Sequence, residues 1–137
     1  MFGGAVCAQE RGTTAEAEVL VKRAVAFYKS NGREKAFAAF MDQKGGFVRG
    51  DLYIFVYDLN GKCLAHGGNA KMVGLDLAEL RDADGKMFVR ERLEIAKDRG
   101  KGWQNYKWTN PVTKQIESKT AYIEVVDNVI VGCGAYK

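Results

Sequence analysis

The chain contains few residues that could carry catalysis. Its single histidine, His66, excludes every site that requires two imidazoles, such as the HExxH zinc hydrolases. The sequence has no CxxC pair, no Walker glycine loop and no G-x-S-x-G nucleophile elbow. Three scattered cysteines, Cys7, Cys63 and Cys133, are too few for a four-thiolate metal site. The sequence therefore predicts neither an enzyme nor a metal or cofactor site.

Cys63 and Cys133 leave more than one interpretation open. They could form a disulfide if they lie on neighbouring strands, but two buried free thiols are favoured. A redox carrier or enzyme built on these cysteines and His66 is a further alternative. It would need a cysteine of depressed pKa beside the imidazole.

Aromatic residues at strand spacing could bind a small molecule instead. Side chains two positions apart on a strand point to the same face, as Tyr106 and Trp108 do in one segment and Tyr53 and Phe55 in another. Such residues are more often part of a packed core, so the pattern alone favours packing over binding. A pocket for a small anion would also need a cation or several hydrogen-bond donors beside the aromatic wall.

Composition points to one ordinary globular domain. The 137 residues are 47% hydrophobic and 28% charged. Sixteen glycines against one proline predict many short elements joined by tight turns. The net charge of +4 comes without any basic run longer than two residues, so nucleic acid is not expected as a partner.

Helical spacing occurs near the N-terminus and in the middle of the chain. Thr13 or Thr14 is a predicted N-cap, and apolar residues then recur every three or four positions up to Asn31-Gly32. Three more helical segments are predicted over 33–41, 75–80 and 86–99. In the last of these, the side that carries Met87, Leu93 and Ala96 is expected to face inward.

Strand character dominates the remainder. Alternation with period two and turn signals such as Asn60-Gly61 and Asp127-Asn128 mark these segments. The predicted strands are 52–57, 63–66, 102–109, 116–126 and 129–136. The order of elements predicts an α+β fold: a five-stranded antiparallel sheet with a long N-terminal helix on one face and short helices and loops over the other.

The chain contains, in this order, FVRGDLYIFVYDLNGKCLAHG, LRDADGKMFV, GWQNYKWTNP, SKTAYIEVV and VIVGCGAY. Together these motifs resemble those of the single Cache domain, an extracytoplasmic sensor module, over about residues 14–136. The resemblance implies a PAS-like form of the predicted fold, with a small ligand between the sheet and the middle helices. In that family the ligand is often a short carboxylate or an amino acid. Residues 13–137 are therefore assigned to a single Cache sensor domain.

The resemblance also implies which residues line the pocket, and strand parity adds Tyr53 and Phe55 to them. The full set is His66, Tyr106, Trp108, Lys119, Tyr122, Trp103, Tyr53 and Phe55. Lys119 or His66 would neutralise a carboxylate. Tyr106 and Tyr122 would donate hydrogen bonds, and Trp103 and Trp108 would form the wall.

Strand parity conflicts with part of this set. Trp103 opposes Tyr106 and Trp108 on one regular strand, and Lys119 opposes Tyr122 on another. These residues can therefore face one cavity only if a bulge intervenes or loop ends contribute. The pair formed by Tyr106 and Trp108 is preferred to Trp103.

The N-terminus predicts the compartment. Val6 and Ala8 satisfy the small-residue rule of a signal-peptide cleavage site, so residues 1–12 are interpreted as a signal-peptide remnant or a disordered start. A periplasmic or extracytoplasmic location follows. Modules of this family usually precede a membrane segment that leads to a chemoreceptor or histidine kinase, whereas this chain ends at Lys137. Both an excised sensor domain and a stand-alone binding protein remain open, and the second is favoured.

The leading functional hypothesis is a sensor that binds a short organic anion such as acetate, propionate or pyruvate and performs no chemistry. A membrane receptor or kinase would then be the partner that reads the ligand. The alternative is an interaction module that forms a homodimer, or docks on a membrane partner, through its N-terminal helix. That alternative predicts an apolar stripe on residues 14–30 that the sheet leaves uncovered.

Overall fold

The computed structural model describes residues 11–137. The elements are, in order, α1 (Thr14–Asn31), α2 (Arg33–Met41), β1 (Val48–Arg49), β2 (Leu52–Tyr53), β3 (Phe55–Asp58), β4 (Cys63–His66), a 3₁₀ turn (Ala70–Met72), α3 (Phe88–Arg99), β5 (Lys101–Thr109), β6 (Ile116–Val126) and β7 (Val129–Tyr136). The predicted α+β fold is confirmed. The predicted signal remnant, residues 1–12, lies outside the described residues except for its last two positions.

The helix α1 begins and ends where its sequence signals predict. The Thr13 hydroxyl accepts a hydrogen bond from the Glu16 amide (3.1 Å), and the Glu16 carboxylate accepts one from the Thr13 amide (2.9 Å), which is a complete capping box. Gly32, at φ +85°, ends the helix. Among the helices of residues 11–137, none is long and apolar enough to cross a membrane.

The inner face of α1 packs on the sheet. Its buried side chains are Ala17, Leu20, Val21, Ala24, Val25 and Tyr28. They contact β6 and β7, and α2 extends this layer over β4. Most of the apolar stripe is thus covered, and Val19 is the large apolar side chain of α1 that stays exposed, at 59%.

The main sheet has the strand order β4-β3-β7-β6-β5, and all neighbours are antiparallel. The strands β5 and β6 pair without a bulge along their whole length, so that Tyr106 lies opposite Lys119 and Trp103 lies opposite Tyr122. Because side chains alternate along a strand, these two pairs point to opposite faces. The parity conflict seen in the sequence is therefore present in the structure.

The segment 52–57 alternates as predicted but is not one continuous strand. The strand β2 pairs with β1 in a separate two-stranded sheet, and β3 joins the main sheet after Ile54. Ile54 and Val56 contact the layer of α1, whereas Phe55 and Tyr57 contact the layer of α3. The segment is therefore buried on both faces.

The prediction of a short helix over 75–80 is wrong. This stretch pairs with the loop between β3 and β4 instead: the Leu75 carbonyl accepts from the Cys63 amide (3.0 Å), and the Leu77 amide donates to the Gly61 carbonyl (2.9 Å). Those backbone groups are consequently unavailable for a helix. The helical turn lies earlier, at Ala70–Met72.

The helix α3 starts two residues later than predicted. Asp82 accepts the Lys86 amide in a turn (2.9 Å), and Met87 is the N-cap. The inward side carries Phe88, Val89, Arg92, Ile95 and Ala96. Of the three residues predicted to face inward, Ala96 is buried, while Met87 and Leu93 are only partly buried.

Candidate functional site

Two buried cations lie on the α3 side of the main sheet. Lys119 of β6 and Arg92 of α3 are each 1% exposed. Neither forms a salt bridge with any residue in 11–137. Charged side chains are rarely buried unless an opposite charge accompanies them, so this pair marks the site.

Lys119 is surrounded by tyrosines. Its Nζ donates to the Tyr53 hydroxyl (2.8 Å) and more weakly to that of Tyr136 (3.4 Å). It also lies 4.3 Å from the centre of the Tyr53 ring and 4.8 Å from that of Tyr136. Burial lowers the pKa of Lys119 from 10.5 to about 7. Gly134 makes room for the lysine, because a Cβ there would come within 2.5 Å of its Cε.

Arg92 is stacked among rings and fixed at one edge. Its central carbon lies 4.2 Å from the centre of the Phe55 ring and 4.8 Å from that of Tyr57. Its Nε donates to the side-chain carbonyl of Gln104 (2.8 Å). The amide nitrogen of Gln104 in turn donates to the backbone carbonyl of Phe88 (3.0 Å), which ties the arginine to its own helix.

His66 is held as a neutral imidazole. Its Nδ1 accepts a hydrogen bond from the Asn69 amide (2.9 Å), so the proton of the neutral ring resides on Nε2. Burial lowers the pKa of His66 to about 3, and the charges of Lys119 and Arg92 add to the shift. At neutral pH the imidazole therefore offers a hydrogen-bond donor without a charge.

Aromatic rings fill the space around these polar groups. The Tyr53 and Tyr136 hydroxyls are 3.2 Å apart, and the Tyr136 hydroxyl donates to the Thr109 carbonyl (2.9 Å). Tyr106 stacks on Phe88, with ring centres 4.6 Å apart and planes 4° from parallel. Burial raises the pKa of Tyr53 well above 10, so the phenols remain hydrogen-bond donors at neutral pH.

The structure brings six of the eight predicted site residues to this side. They are Tyr53, Phe55, His66, Tyr106, Trp108 and Lys119. Trp103 and Tyr122 lie on the opposite face, with ring centres 5.0 Å apart, and Lys22 of α1 lies over Tyr122. The regular pairing of β5 with β6 separates these two from the rest.

Sequence reasoning missed Arg92, Gln104 and Tyr136. Arg92 had a detectable signal, because it lies four residues after Phe88 and three before Ile95, on the apolar side of α3. A basic residue on the apolar side of a helix needs a partner inside the protein. Tyr136 is two residues beyond Gly134 on β7, and its role depends on strand neighbours that parity alone does not identify.

A cleft of about 270 Å³ leads from solvent to Tyr106 and Lys119. Its rim carries lysines from three parts of the chain: Lys86, Lys107 and Lys137. Asp82 shapes the adjoining loop by accepting the amides of Asp84, Lys86 and Lys107 at 2.9–3.0 Å. Partial burial opposes ionisation of Asp82, but these three amides outweigh it and hold its pKa below the ordinary value.

Cys63 and Cys133, the cysteines in the described part of the chain, are free thiols, as favoured from the sequence. Cys63 and Cys133 are buried and unpaired, and they lie on β4 and β7, which flank β3 rather than each other. Burial raises the pKa of Cys63 to about 11 and that of Cys133 to about 12. A redox or nucleophilic role would require the opposite shift.

Comparison with known proteins identifies the family. The family model described as single Cache domain 2 matches residues 8–137. A solved structure described as the structural basis for carboxylic acid recognition by a Cache chemosensory domain is 27% identical and has a TM-score of 0.75. The match covers 90% of this chain and 92% of that one.

Two curated proteins are also similar over 88 residues, which is 63% of this chain. Methyl-accepting chemotaxis protein McpP of Pseudomonas putida is 33% identical, and the match covers 16% of its length. Sensor histidine kinase MctS of Rhizobium johnstonii is 35% identical, and the match covers 19%. The chain thus corresponds to a small part of each of these relatives.

Proposed function

The chain belongs to the single Cache domain 2 family, and on this premise we propose that it binds a short organic carboxylate on the α3 side of its sheet, as a sensor domain that performs no chemistry. One observation carries the proposal. Lys119 is a fully buried ammonium group with hydroxyl partners but no carboxylate in contact with it among residues 11–137.

A buried ammonium without a counter-ion raises the free energy of the folded protein. Asp51 is the carboxylate whose charge favours protonation of Lys119, without forming a salt bridge to it. Its carboxylate, however, is already bound by the Gly12 amide (2.8 Å) and the Asn110 side chain (3.1 Å). A ligand carboxylate beside Nζ would supply the missing charge in a site of low dielectric constant, where such a contact is strong.

The neighbouring groups suit a ligand of a few carbon atoms. The Tyr53 hydroxyl and the Nε2 proton of His66 can complete the hydrogen bonds of a carboxylate, whereas the Tyr136 proton is already donated to the Thr109 carbonyl. The rings of Tyr106 and Trp108 supply an apolar wall. Acetate, propionate and pyruvate fit these requirements, and a free amino acid would bring an ammonium group close to two buried cations.

Isothermal titration of the chain with acetate, propionate, pyruvate, alanine and ethylamine tests the proposal. We expect micromolar binding of at least one carboxylate and none of ethylamine. Lys119→Met should weaken carboxylate binding at least about a hundredfold, because it removes the buried charge. Lys101→Met, which removes an exposed lysine from β5, is the matched control and should change affinity less than about threefold.

Absence of binding by every carboxylate at 5 mM would overturn the proposal. So would unchanged affinity in Lys119→Met, because the charge would then be irrelevant to binding.

The relatives support a wider role that we also propose. A chemotaxis receptor and a sensor histidine kinase point to an extracytoplasmic location and to a signalling partner of one of those classes. Residues 1–12 would then be the signal-peptide remnant and residues 13–137 the sensor domain. Exposed Val19 leaves homodimer formation through α1 as a prediction that light scattering of the purified chain tests.

A further inference from the structure

Arg92 is a second buried cation. A single carboxylate bound at Lys119 would leave the charge of Arg92 without a counter-ion. Its Nη2 is buried and has no hydrogen-bond acceptor within residues 11–137. Buried polar groups are nearly always hydrogen-bonded, and an orphaned donor often marks the position of a missing water or ligand. For a guanidinium, which is always charged, the cost of leaving a donor unsatisfied is greater than for a neutral group.

The residues around Arg92 fix its position, but none of them accepts a hydrogen bond from Nη2. Gln104 occupies Nε, and the rings of Phe55 and Tyr57 balance part of the charge through their faces. The side-chain amide of Gln104 also donates to Glu91 (2.9 Å), so this acid is engaged one step away from the arginine. Nη2 therefore remains preorganised for an acceptor that the described residues do not provide.

Arg92 and Lys119 are close enough to share a small ligand. The central carbon of Arg92 and the Nζ of Lys119 lie 4.2 and 5.5 Å from the centre of the same Phe55 ring. They lie 5.3 and 5.7 Å from the centre of the Tyr106 ring. A molecule bound against these two rings can reach one cation with each end.

We propose that Arg92 binds a second oxygen atom of the ligand, so that the site prefers a carboxylate bearing a keto, hydroxyl or second carboxylate group over a plain carboxylate of equal length. The inference rests on the proposed function, because Lys119 takes the first carboxylate. An unsubstituted chain would place hydrogens against Nη2 and leave it unsatisfied. An oxygen on the neighbouring carbon would satisfy it.

Titration of the wild-type chain with four three-carbon acids tests the inference. Propionate lacks the second acceptor, while pyruvate, lactate and malonate carry a keto, a hydroxyl and a carboxylate group. We expect at least one of these three to bind about tenfold or more tightly than propionate, since a hydrogen bond to a charged group is gained. Comparison of pyruvate with malonate shows whether the second acceptor is neutral or charged.

Arg92→Met should reduce the preference for the oxygenated acid over propionate to less than about threefold. Arg90→Met is the matched control, because it removes a half-exposed arginine of the same helix and should leave the preference unchanged. Equal affinity of the wild type for propionate and all three oxygenated acids would overturn the inference but not the proposed function, and this result requires no variant. An Arg92→Met protein that keeps the preference would overturn it as well. Absence of binding by all four acids and by acetate would overturn both.

Discussion

The two faces of the main sheet are built from the same strands but differ in chemistry. On the α1 face, the inward residues of the strands are mainly aliphatic, and Phe40 and Phe47 of the covering layer pack against them. On the α3 face, alternate residues of the same strands contribute Phe55 and Lys119, and Tyr53 of the neighbouring strand β2 contacts this lysine. Both buried cations and the neutral histidine belong to this second face.

The difference separates a surface that stabilises the fold from one that is suited to binding. Burial of apolar side chains on the α1 face lowers the free energy of folding, and the tyrosine hydroxyls of that face, those of Tyr28 and Tyr122, are already hydrogen-bonded to carboxylates. The α3 face buries charges whose dehydration is unfavourable until an anion arrives. A protein can keep such a face only if the other face stabilises the fold enough to offset it.

The largest effect is expected from a cavity on the α1 face. Phe40 is fully buried, and its ring centre lies 5.0 Å from that of Phe47. Phe40→Ala should lower the free energy of unfolding by about 3–5 kcal/mol in urea titrations. The affinity of the folded variant for a carboxylate should change less than about threefold.

The exposed position Val19 provides the control for this variant. Val19→Ala on the same layer should change the free energy of unfolding by less than about 0.5 kcal/mol. If Phe40→Ala lost carboxylate binding under conditions in which it is folded, the two faces would not be independent.

Substitution of the buried lysine should raise stability and abolish binding, whereas Phe40→Ala should lower stability and leave binding unchanged. Lys119→Met retains most of the side-chain volume and removes the charge, so the free energy of unfolding at pH 6 should rise by about 1–4 kcal/mol. The same variant is expected to lose carboxylate binding. A variant that is less stable than the wild type would show that the hydrogen bonds of Lys119 to the tyrosines hold the α3 face together.

The pH dependence of stability distinguishes the α3 face from the α1 face. The pKa of His66 is 6.5 when unperturbed and about 3 in the folded chain, and the values for Lys119 are 10.5 and about 7. Between the two values of each group, the unfolded chain holds a proton that the folded chain does not. The free energy of unfolding should therefore rise with pH from about 3 to 6.5 and again from about 7 to 9, by at most about 1.4 kcal/mol per pH unit for each group. Above pH 9 the raised pKa values of the buried Cys63 and Cys133 act in the opposite direction, because the unfolded chain loses thiol protons that the folded chain keeps.

Carboxylate affinity should follow pH in the other direction. Binding requires the charged form of Lys119, so affinity should fall above pH 7 by at most about tenfold per unit. Urea titrations and calorimetry between pH 4 and 10 measure both quantities. Lys119→Met should abolish the rise in stability between pH 7 and 9. His66→Gln should abolish the rise between about pH 4.5 and 6.5, which lies above the range in which carboxylates of lowered pKa such as Asp82 contribute. A stability that is flat between pH 7 and 9 in the wild type would contradict the burial of a titrating lysine.

Sequence reasoning recovered the fold more fully than the site. Period and turn signals act over a few residues, so an N-cap at Thr13 or Thr14 and the alternation of 52–57 could be predicted directly from the sequence. The site depends on which strands are neighbours and on what a helix places over them. Parity could show that Tyr122 and Lys119 point apart, but not which of the two faces α3. The prediction of a helix over 75–80 was wrong because the backbone of this segment forms hydrogen bonds with Gly61 and Cys63, which are distant in sequence.

The smallest effect is expected at the rim of the cleft, where a cation is exposed. Lys107 lies on the rim and forms a half-exposed ion pair with Asp84 (3.5 Å). Lys107→Gln should slow the association of a carboxylate less than about threefold and leave its dissociation unchanged, because exposed charges mainly steer the approach of a ligand. Stopped-flow mixing at 20 and 200 mM salt measures this, and the difference from the wild type should vanish at the higher salt. If Lys107→Gln instead accelerated dissociation, the rim would contact the bound ligand, and the site would extend outward from Lys119 along the cleft.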